Sequence, residues 1–300
     1  MGGGSWTASD WSSYSTTHIK GKSATSIYKS RSIKPEYDPK NVDIRESCDS
    51  DEHPNSNAII IGLDVTGSMS RILEAVAEKL GTLVGNIYDR QPVADPQIMF
   101  NAVGDAMCDD APLQSTQFES DIRIAEQLTD LWFEQGGGGN NFESYPLVWY
   151  FAANHTKIDC YEKRNKKGFI FTMGDDCYPK VITKREIEEF FGDVVEADIP
   201  VKEVLAQVNR QYEVFHLLLE QGGSAHSMNK PAWVELLGER AIKVSDYTKI
   251  PEIIVSILET MGGKPVDEVV GSWDGNTALV VKEAIKDLLT LSQSNDLVEM

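Results

Sequence analysis

From Asn57 onward the chain alternates short unbroken apolar runs with longer stretches in which apolar residues recur every three or four positions. Ala58-Ile59-Ile60-Ile61-Gly62-Leu63 is one such run and ends in Asp64; its continuous apolar character predicts a strand covered on both faces. Leu73, Val76, Leu80, Leu83, Val84 and Ile87 follow at helical spacing and Pro92 stops them, predicting a strand, a polar turn and a helix. The pattern recurs. Further strands are expected at 97–103, near 114–118, at 168–173, 214–219 and 241–244. Helices are expected over about 121–134, 143–154 and 250–261, with an acidic one around 186–191 and an amphipathic one over 277–291. Alternation at these lengths predicts an α/β fold with an open, doubly wound, mostly parallel sheet and helices on both faces. In such folds ligands sit at the carboxyl ends of the strands, where Asp64 and Asp175 fall.

Residues 1–56 break the pattern. They are rich in Gly, Ser and Thr, yet Trp6, Trp11, Tyr14 and Tyr28 are too many aromatics for a plain linker, so this segment is expected to dock, either on its own domain or on another subunit. The stretch 45–57 is expected to be a hinge. Residues 57–262 form the expected main domain, with surface insertions near 154–167 and 176–210, and residues 263–300 form a tail carrying the last helix.

Charge narrows the function. Lys and Arg number 28 against 47 Asp and Glu, a net of −19. Residues 58–155 hold 4 basic side chains against 14 acidic ones, so the acid is concentrated around the first strands. Such a chain repels polyanions, and with no basic patch evident neither nucleic acid nor an anionic membrane is an expected partner. No apolar stretch reaches bilayer length and the start lacks a basic-then-apolar leader, so a cytoplasmic protein is expected. Cys48, Cys108, Cys160 and Cys177 are widely spaced, as expected of reduced thiols rather than a zinc site. The histidines are scattered, and His216 is expected to be a packed core residue.

The most specific chemistry is Asp64-x-Thr66-x-Ser68 at the end of a buried strand. Carboxylate and hydroxyl oxygens are hard ligands, and side chains two apart around a tight turn can converge on an octahedral cation. Asp64-Val65-Thr66-Gly67-Ser68-Met69 resembles the metal-ion-dependent adhesion site (MIDAS) of von Willebrand factor A (vWA) domains, whose pattern is Asp-x-Ser-x-Ser after the first strand of a Rossmann-like sheet. Thr66 replaces the first serine and keeps the hydroxyl. The family's second loop supplies a threonine that this chain lacks; Gly136-Gly137-Gly138-Gly139-Asn140-Asn141-Phe142-Glu143-Ser144 is instead similar to the integrin β branch, where a glutamate ligates the metal. Glu143 matches that glutamate, while Asn140 and Phe142 depart from the aspartate and proline around it. Thr172-Met173-Gly174-Asp175 resembles the third loop, with Asp175 preferred over Asp176. The likeness covers roughly residues 57–262.

By this resemblance Thr66, Ser68 and Glu143 would bind Mg²⁺, or Mn²⁺ or Ca²⁺ in its place, while Asp64 and Asp175 would bind it directly or through water. An open position would take an Asp or Glu carboxylate from a partner protein. The expected role is therefore an adaptor, not an enzyme, with an AAA+ ATPase as a candidate partner. Self-assembly through the amino-terminal arm is the alternative. A phosphatase of the haloacid dehalogenase type is disfavoured because Thr66 stands where its second catalytic acid is required.

Overall fold

The computed structural model describes residues 4–136, 141–220 and 225–288. Its amino-terminal arm contains α1 (Ala8–His18), α2 (Ala24–Ile27) and β1 (Arg45–Ser47). The arm docks on its own domain: Ile19, Ile27, Tyr28 and Tyr37 are buried in the same core as α3 (Ser70–Arg90), and Trp6, Trp11 and Tyr14 pack against that core. The sequence left open whether the arm covers its own domain or another subunit; these aromatics are packed within one chain.

The central sheet grows from β2 (Asn57–Asp64), followed by α3, β3 (Pro96–Val103), β4 (Leu113–Ser115), α4 (Arg123–Asp130) and α5 (Tyr145–Asn154). Then come β5 (Thr156–Ile158), α6 (Asp159–Arg164), β6 (Gly168–Gly174), β7 (Val181–Ile182), α7 (Lys184–Phe191), β8 (Ile199–Pro200), α8 (Val201–Val208) and β9 (Tyr212–Leu219). The chain continues through α9 (Ala225–Leu237), β10 (Ala241–Val244), α10 (Ile250–Met261), α11 (Val266–Gly271) and α12 (Gly275–Ile285). The six-stranded sheet has the order β10-β9-β6-β2-β3-β4 and is parallel except for the β3–β4 pair. The chain leaves β2 toward β3 on one side and later returns to β6 on the other, so a crevice opens at the carboxyl ends of β2 and β6.

Side chains of β2 alternate between two apolar layers, as strand geometry requires. Ile59, Ile61 and Leu63 join the core under α3, α4 and α10, while Ala58 and Ile60 join the second core under α5, α8 and α9. Burying each large aliphatic side chain stabilises the fold by about 2 kcal/mol. That anchorage holds Asp64, the last residue of β2, at 0% exposure. Among the described residues no helix is long and apolar enough to cross a membrane.

Several boundaries differ from the sequence expectation. The hinge expected at 45–57 contains β1, which pairs in parallel with β5 from the expected insertion, Arg45 opposite Thr156. Backbone bonds hold this short ladder and its side chains are polar except for the buried Ile158, so no apolar run announced it. The helix expected over 121–134 stops at Asp130, because Leu131 is extended and the Gln114 side chain bonds both the N–H and the C=O of Trp132. The expected insertion 176–210 holds α8, whose Val201, Val204, Leu205 and Val208 are buried in the second core. The last helix runs over Gly275–Ile285; the remainder of the expected stretch includes Leu289, Thr290 and Leu291, which lie outside the described residues.

Candidate functional site

At the end of β2 the chain turns sharply, and Asp64 organises the turn. Its Oδ1 accepts hydrogen bonds from the Thr66 backbone N–H at 2.9 Å and from Thr66 Oγ1 at 2.6 Å. Ser68 Oγ lies 3.4 Å from Thr66 Oγ1. A 3₁₀ turn over Gly67–Met69 then leads into α3. Asp64 Oδ2 accepts from Tyr145 Oη at 3.0 Å, across from the first residue of α5. Gly174, at the end of β6, sits against both groups: a Cβ there would collide with Tyr145 Oη and lie 2.8 Å from Asp64 Oδ2. Only glycine lets the β6 backbone approach this closely.

Backbone hydrogen bonds tie the surrounding loops together. Gly67 N–H donates to the Gly136 carbonyl at 3.1 Å. Glu143 N–H donates to the Cys177 carbonyl at 3.0 Å, and Cys177 N–H returns to the Asn141 carbonyl at 3.2 Å. Ser144 N–H donates to the Gly104 carbonyl at 3.0 Å, and Ala106 N–H to Ser144 Oγ at 2.9 Å. The turn after β2, the segment before α5 and the loops after β3 and β6 thus form one network. Gly137, Gly138, Gly139 and Asn140, singled out in the sequence, lie outside the described residues.

All five residues marked by the sequence fall in this network. Asp64, Thr66, Glu143 and Asp175 are buried, and Ser68 is exposed at the rim. Asp175 is more deeply buried than Asp176, and burial raises it while the Ser68 hydroxyl opposes the rise. Two carboxylate oxygens, Glu143 Oε2 and Asp175 Oδ1, are buried and have no hydrogen-bond partner among the described residues. Buried charge of this kind is costly unless it is paired. Burial drives Asp64 upward from the usual carboxylate range, the charge of Asp175 adds to that, and the Thr66 and Tyr145 donors oppose it. Glu143 is raised by burial and then by Asp64, Asp105, Asp176 and Asp109. Asp176 is pushed up to about 6 by burial and by Asp175 and Asp105. The charged groups among the leading influences on Asp64, Glu143 and Asp176 are other carboxylates, and no Lys or Arg figures among them or for Asp175.

By donor type the set fits a hard divalent cation, since carboxylate and hydroxyl oxygens meet where negative charge is unbalanced. The carboxylates do not form a cage by themselves. Among the described residues no three His, Cys, Asp or Glu side chains are grouped closely enough to hold a metal ion. Any cation here would lean on the hydroxyls of Thr66 and Ser68.

Sequence reasoning missed the support from α9. Asn229 Nδ2 donates to the Asp175 carbonyl at 3.0 Å, and Trp233 Nε1 donates to the Asp176 carbonyl at 3.0 Å. Their i, i+4 spacing was the available signal, masked by Pro231 inside the helix. His216 is fully buried, as expected, with Nδ1 2.9 Å from Thr172 Oγ1 and its ring stacked on Trp233 at 3.5 Å. Burial holds its pKa well below the ordinary histidine value.

No family model matches the chain, and no curated protein matches it. Solved structures to which it is similar include the pilus adhesin SpaC from Lactobacillus rhamnosus GG (TM-score 0.47, 9% identity, covering 69% of this chain and 31% of that one). The same adhesin in its open conformation gives a TM-score of 0.44 at 9% identity, covering 72% of this chain and 30% of that one. Proximal thread matrix protein 1 from the mussel byssus gives 0.43 at 9% identity, covering 73% and 48%. The chain therefore spans between 30% and 48% of the length of these structures.

Proposed function

We propose that this chain is a Mg²⁺-dependent protein-interaction module of the vWA type, with a doubly wound sheet and an adhesion-type site built from Asp64, Thr66, Ser68, Glu143 and Asp175. The observation that carries the reading is the pair of buried oxygens without a partner among the described residues, Glu143 Oε2 and Asp175 Oδ1, in loops bonded to the hydroxyl-bearing turn after Asp64. A divalent cation would balance their charge, and Mn²⁺ or Ca²⁺ would serve in its place. When bound, the metal supplies an electrophilic position for one more anionic oxygen, here an Asp or Glu side chain of a partner protein.

The chain's own residues prepare that position. Asp64 fixes the orientation of the Thr66 hydroxyl, Tyr145 fixes Asp64, and Asn229 and Trp233 fix the loop after β6. We assign no catalytic role. Thr66, where a phosphatase would need an acid, directs its hydroxyl at Asp64 instead. A cytoplasmic adaptor working beside an AAA+ ATPase is the role we favour. Packing of the arm's aromatics on their own domain supports this over self-assembly through the arm.

The test is calorimetric titration of Mg²⁺ and of Mn²⁺ into the metal-free full chain beside Asp64→Ala. Saturable binding that the variant loses is expected. No binding by the wild-type protein overturns the reading.

A further inference from the structure

A groove of about 780 Å³ opens at the opposite end of the sheet, where β2, β6 and β9 begin. Its volume is that of a small-molecule site, about 300–1,000 Å³. Phe169 at the start of β6, Leu258 and Met261 from the end of α10, and Val93 from the loop after α3 give it an apolar lining. Arg164, Lys166 and Lys167 stand along another wall.

This wall runs against the character of the whole chain, whose net charge is −19. Glu213 is the one acid in the lining, and two cations hold it: Lys167 at 3.2 Å and Arg240 at 2.5 Å. Arg164 pairs with Asp49 at 2.7 Å and also donates to the Ser56 carbonyl at 2.7 Å. Lys166 is exposed and has no ion-pair partner among the described residues. In the lining itself three cations, Arg164, Lys166 and Lys167, thus stand against one carboxylate, Glu213, and the surplus is positive.

We propose that this groove binds a small amphipathic anion: an organic carboxylate, sulfonate or phosphate whose apolar body lies on the accessible Pro92, Val93 and Ala94, over the buried Phe169, Leu258 and Met261, and whose head meets Lys166 and its cationic neighbours. The apolar lining supplies affinity through area removed from water, and the cationic wall selects the sign of the head group. A bare inorganic anion would meet the wall but leave the apolar lining unused. The inference is independent of the metal reading, since it uses none of the same residues.

The experiment titrates 8-anilinonaphthalene-1-sulfonate into the folded full chain and follows its fluorescence, with inorganic phosphate as a competitor. Saturable one-to-one binding is expected. Lys166→Glu, at an exposed position, should weaken it about tenfold, since reversing one charge removes an attraction and adds a repulsion. Val93→Asp, which puts an acid into the lining, should weaken it at least as much, with thermal melting used to verify its fold. Phosphate at the dye's own concentration should not displace it. Absence of saturable binding, wild-type affinity in both variants, or equal competition by phosphate would each overturn the proposal.

Discussion

The two ends of the central sheet resolve their charges in opposite ways. Where the strands begin, the two carboxylates at the cationic wall have cations: Asp49 has Arg164 and Lys163, and Glu213 has Lys167 and Arg240. Where β2 and β6 end, Asp64 has the Thr66 and Tyr145 donors and Asp175 has the Ser68 hydroxyl, but Asp64, Glu143, Asp175 and Asp176 have no Lys or Arg among their leading influences. A folded chain tolerates such a cluster by keeping protons on it or by admitting a cation. The contrast teaches that acid content alone says little; what marks a candidate site is acid left without a counter-charge. The largest expected effect follows directly. Asp64→Asn keeps the size of the side chain and removes the charge that organises the turn. It should weaken Mg²⁺ binding by about a hundredfold, roughly 2.7 kcal/mol. Sulfonate binding at the opposite end should stay at its wild-type value. Calorimetry and dye fluorescence on the same two proteins measure both, and a loss at both ends would indicate a damaged fold instead of a damaged site.

Protonation gives the next largest effect. Asp64, Glu143, Asp175 and Asp176 are all raised in the folded chain, so the fold holds protons that the unfolded chain has already released. Stability of the metal-free protein is therefore fully present below the ordinary carboxylate values of 3.8 and 4.5. It falls as pH rises from there, through about 6 for Asp176 and further for the more strongly raised groups. Saturating Mg²⁺ should flatten this decline, because bound metal replaces the protons. By the same linkage, Mg²⁺ affinity should rise with pH by up to about tenfold per unit for each proton displaced. Melting curves with EDTA and with Mg²⁺ from pH 5 to 8 are the measurement. A metal-free protein whose melting temperature climbs over that range would contradict the sign.

Much of this site was legible in the sequence because it sits at the ends of strongly apolar strands. The run 58–63 announces β2, and with it the position of Asp64. The strand at 241–244 and the helix at 250–261 appear with the expected bounds for the same reason: buried elements carry the pattern that burial requires. What escaped was held by other forces. The β1–β5 ladder rests on backbone bonds between polar segments, and α9 is a helix that Pro231 argues against. The cationic wall was spelled out as Lys163-Arg164-Asn165-Lys166-Lys167, yet charge summed over long segments hid it. Only folding places that run beside Arg240 and away from most of the acid. The carboxylates marked by motif lie together at one end of the sheet, while the residues that hold their loops, Tyr145, Asn229 and Trp233, carry no motif at all.

Tyr145 offers a finer probe of how the acidic end is organised. Its hydroxyl donates to Asp64 Oδ2 at 3.0 Å, and its ring packs edge-on against His216 and Trp233. Tyr145→Phe keeps the ring packing and deletes one hydrogen bond to a buried carboxylate. A stability cost of about 1–2 kcal/mol in the metal-free state is expected from chemical denaturation. With one oxygen of Asp64 released from its donor, Mg²⁺ binding should change by about fivefold or less, since no proposed ligand is lost. A loss as large as that of Asp64→Asn would place Tyr145 among the ligands and redraw the site.

The smallest expected effect belongs to Thr66→Ser, and set beside Thr66→Val it separates two explanations of the motif. If the turn matters only as a cap leading into α3, the Thr66 hydroxyl serves Asp64 alone, through the 2.6 Å bond to Oδ1. If the site holds a cation, that oxygen also lies in the coordination shell beside Ser68 Oγ, 3.4 Å away. Thr66→Ser keeps the oxygen and removes only a methyl group at a position 5% exposed. Its Mg²⁺ affinity should stay within about twofold of wild type, with a stability loss of about 1 kcal/mol for the missing methyl. Thr66→Val keeps the methyl and replaces the hydroxyl with a second methyl of similar size. In the capping account it costs stability and leaves metal affinity alone; in the coordination account the affinity falls by about tenfold or more. Thr66→Ser measures what the methyl alone contributes and Thr66→Val, nearly isosteric with threonine, what the oxygen contributes, so comparing the two assigns any loss of affinity to the oxygen.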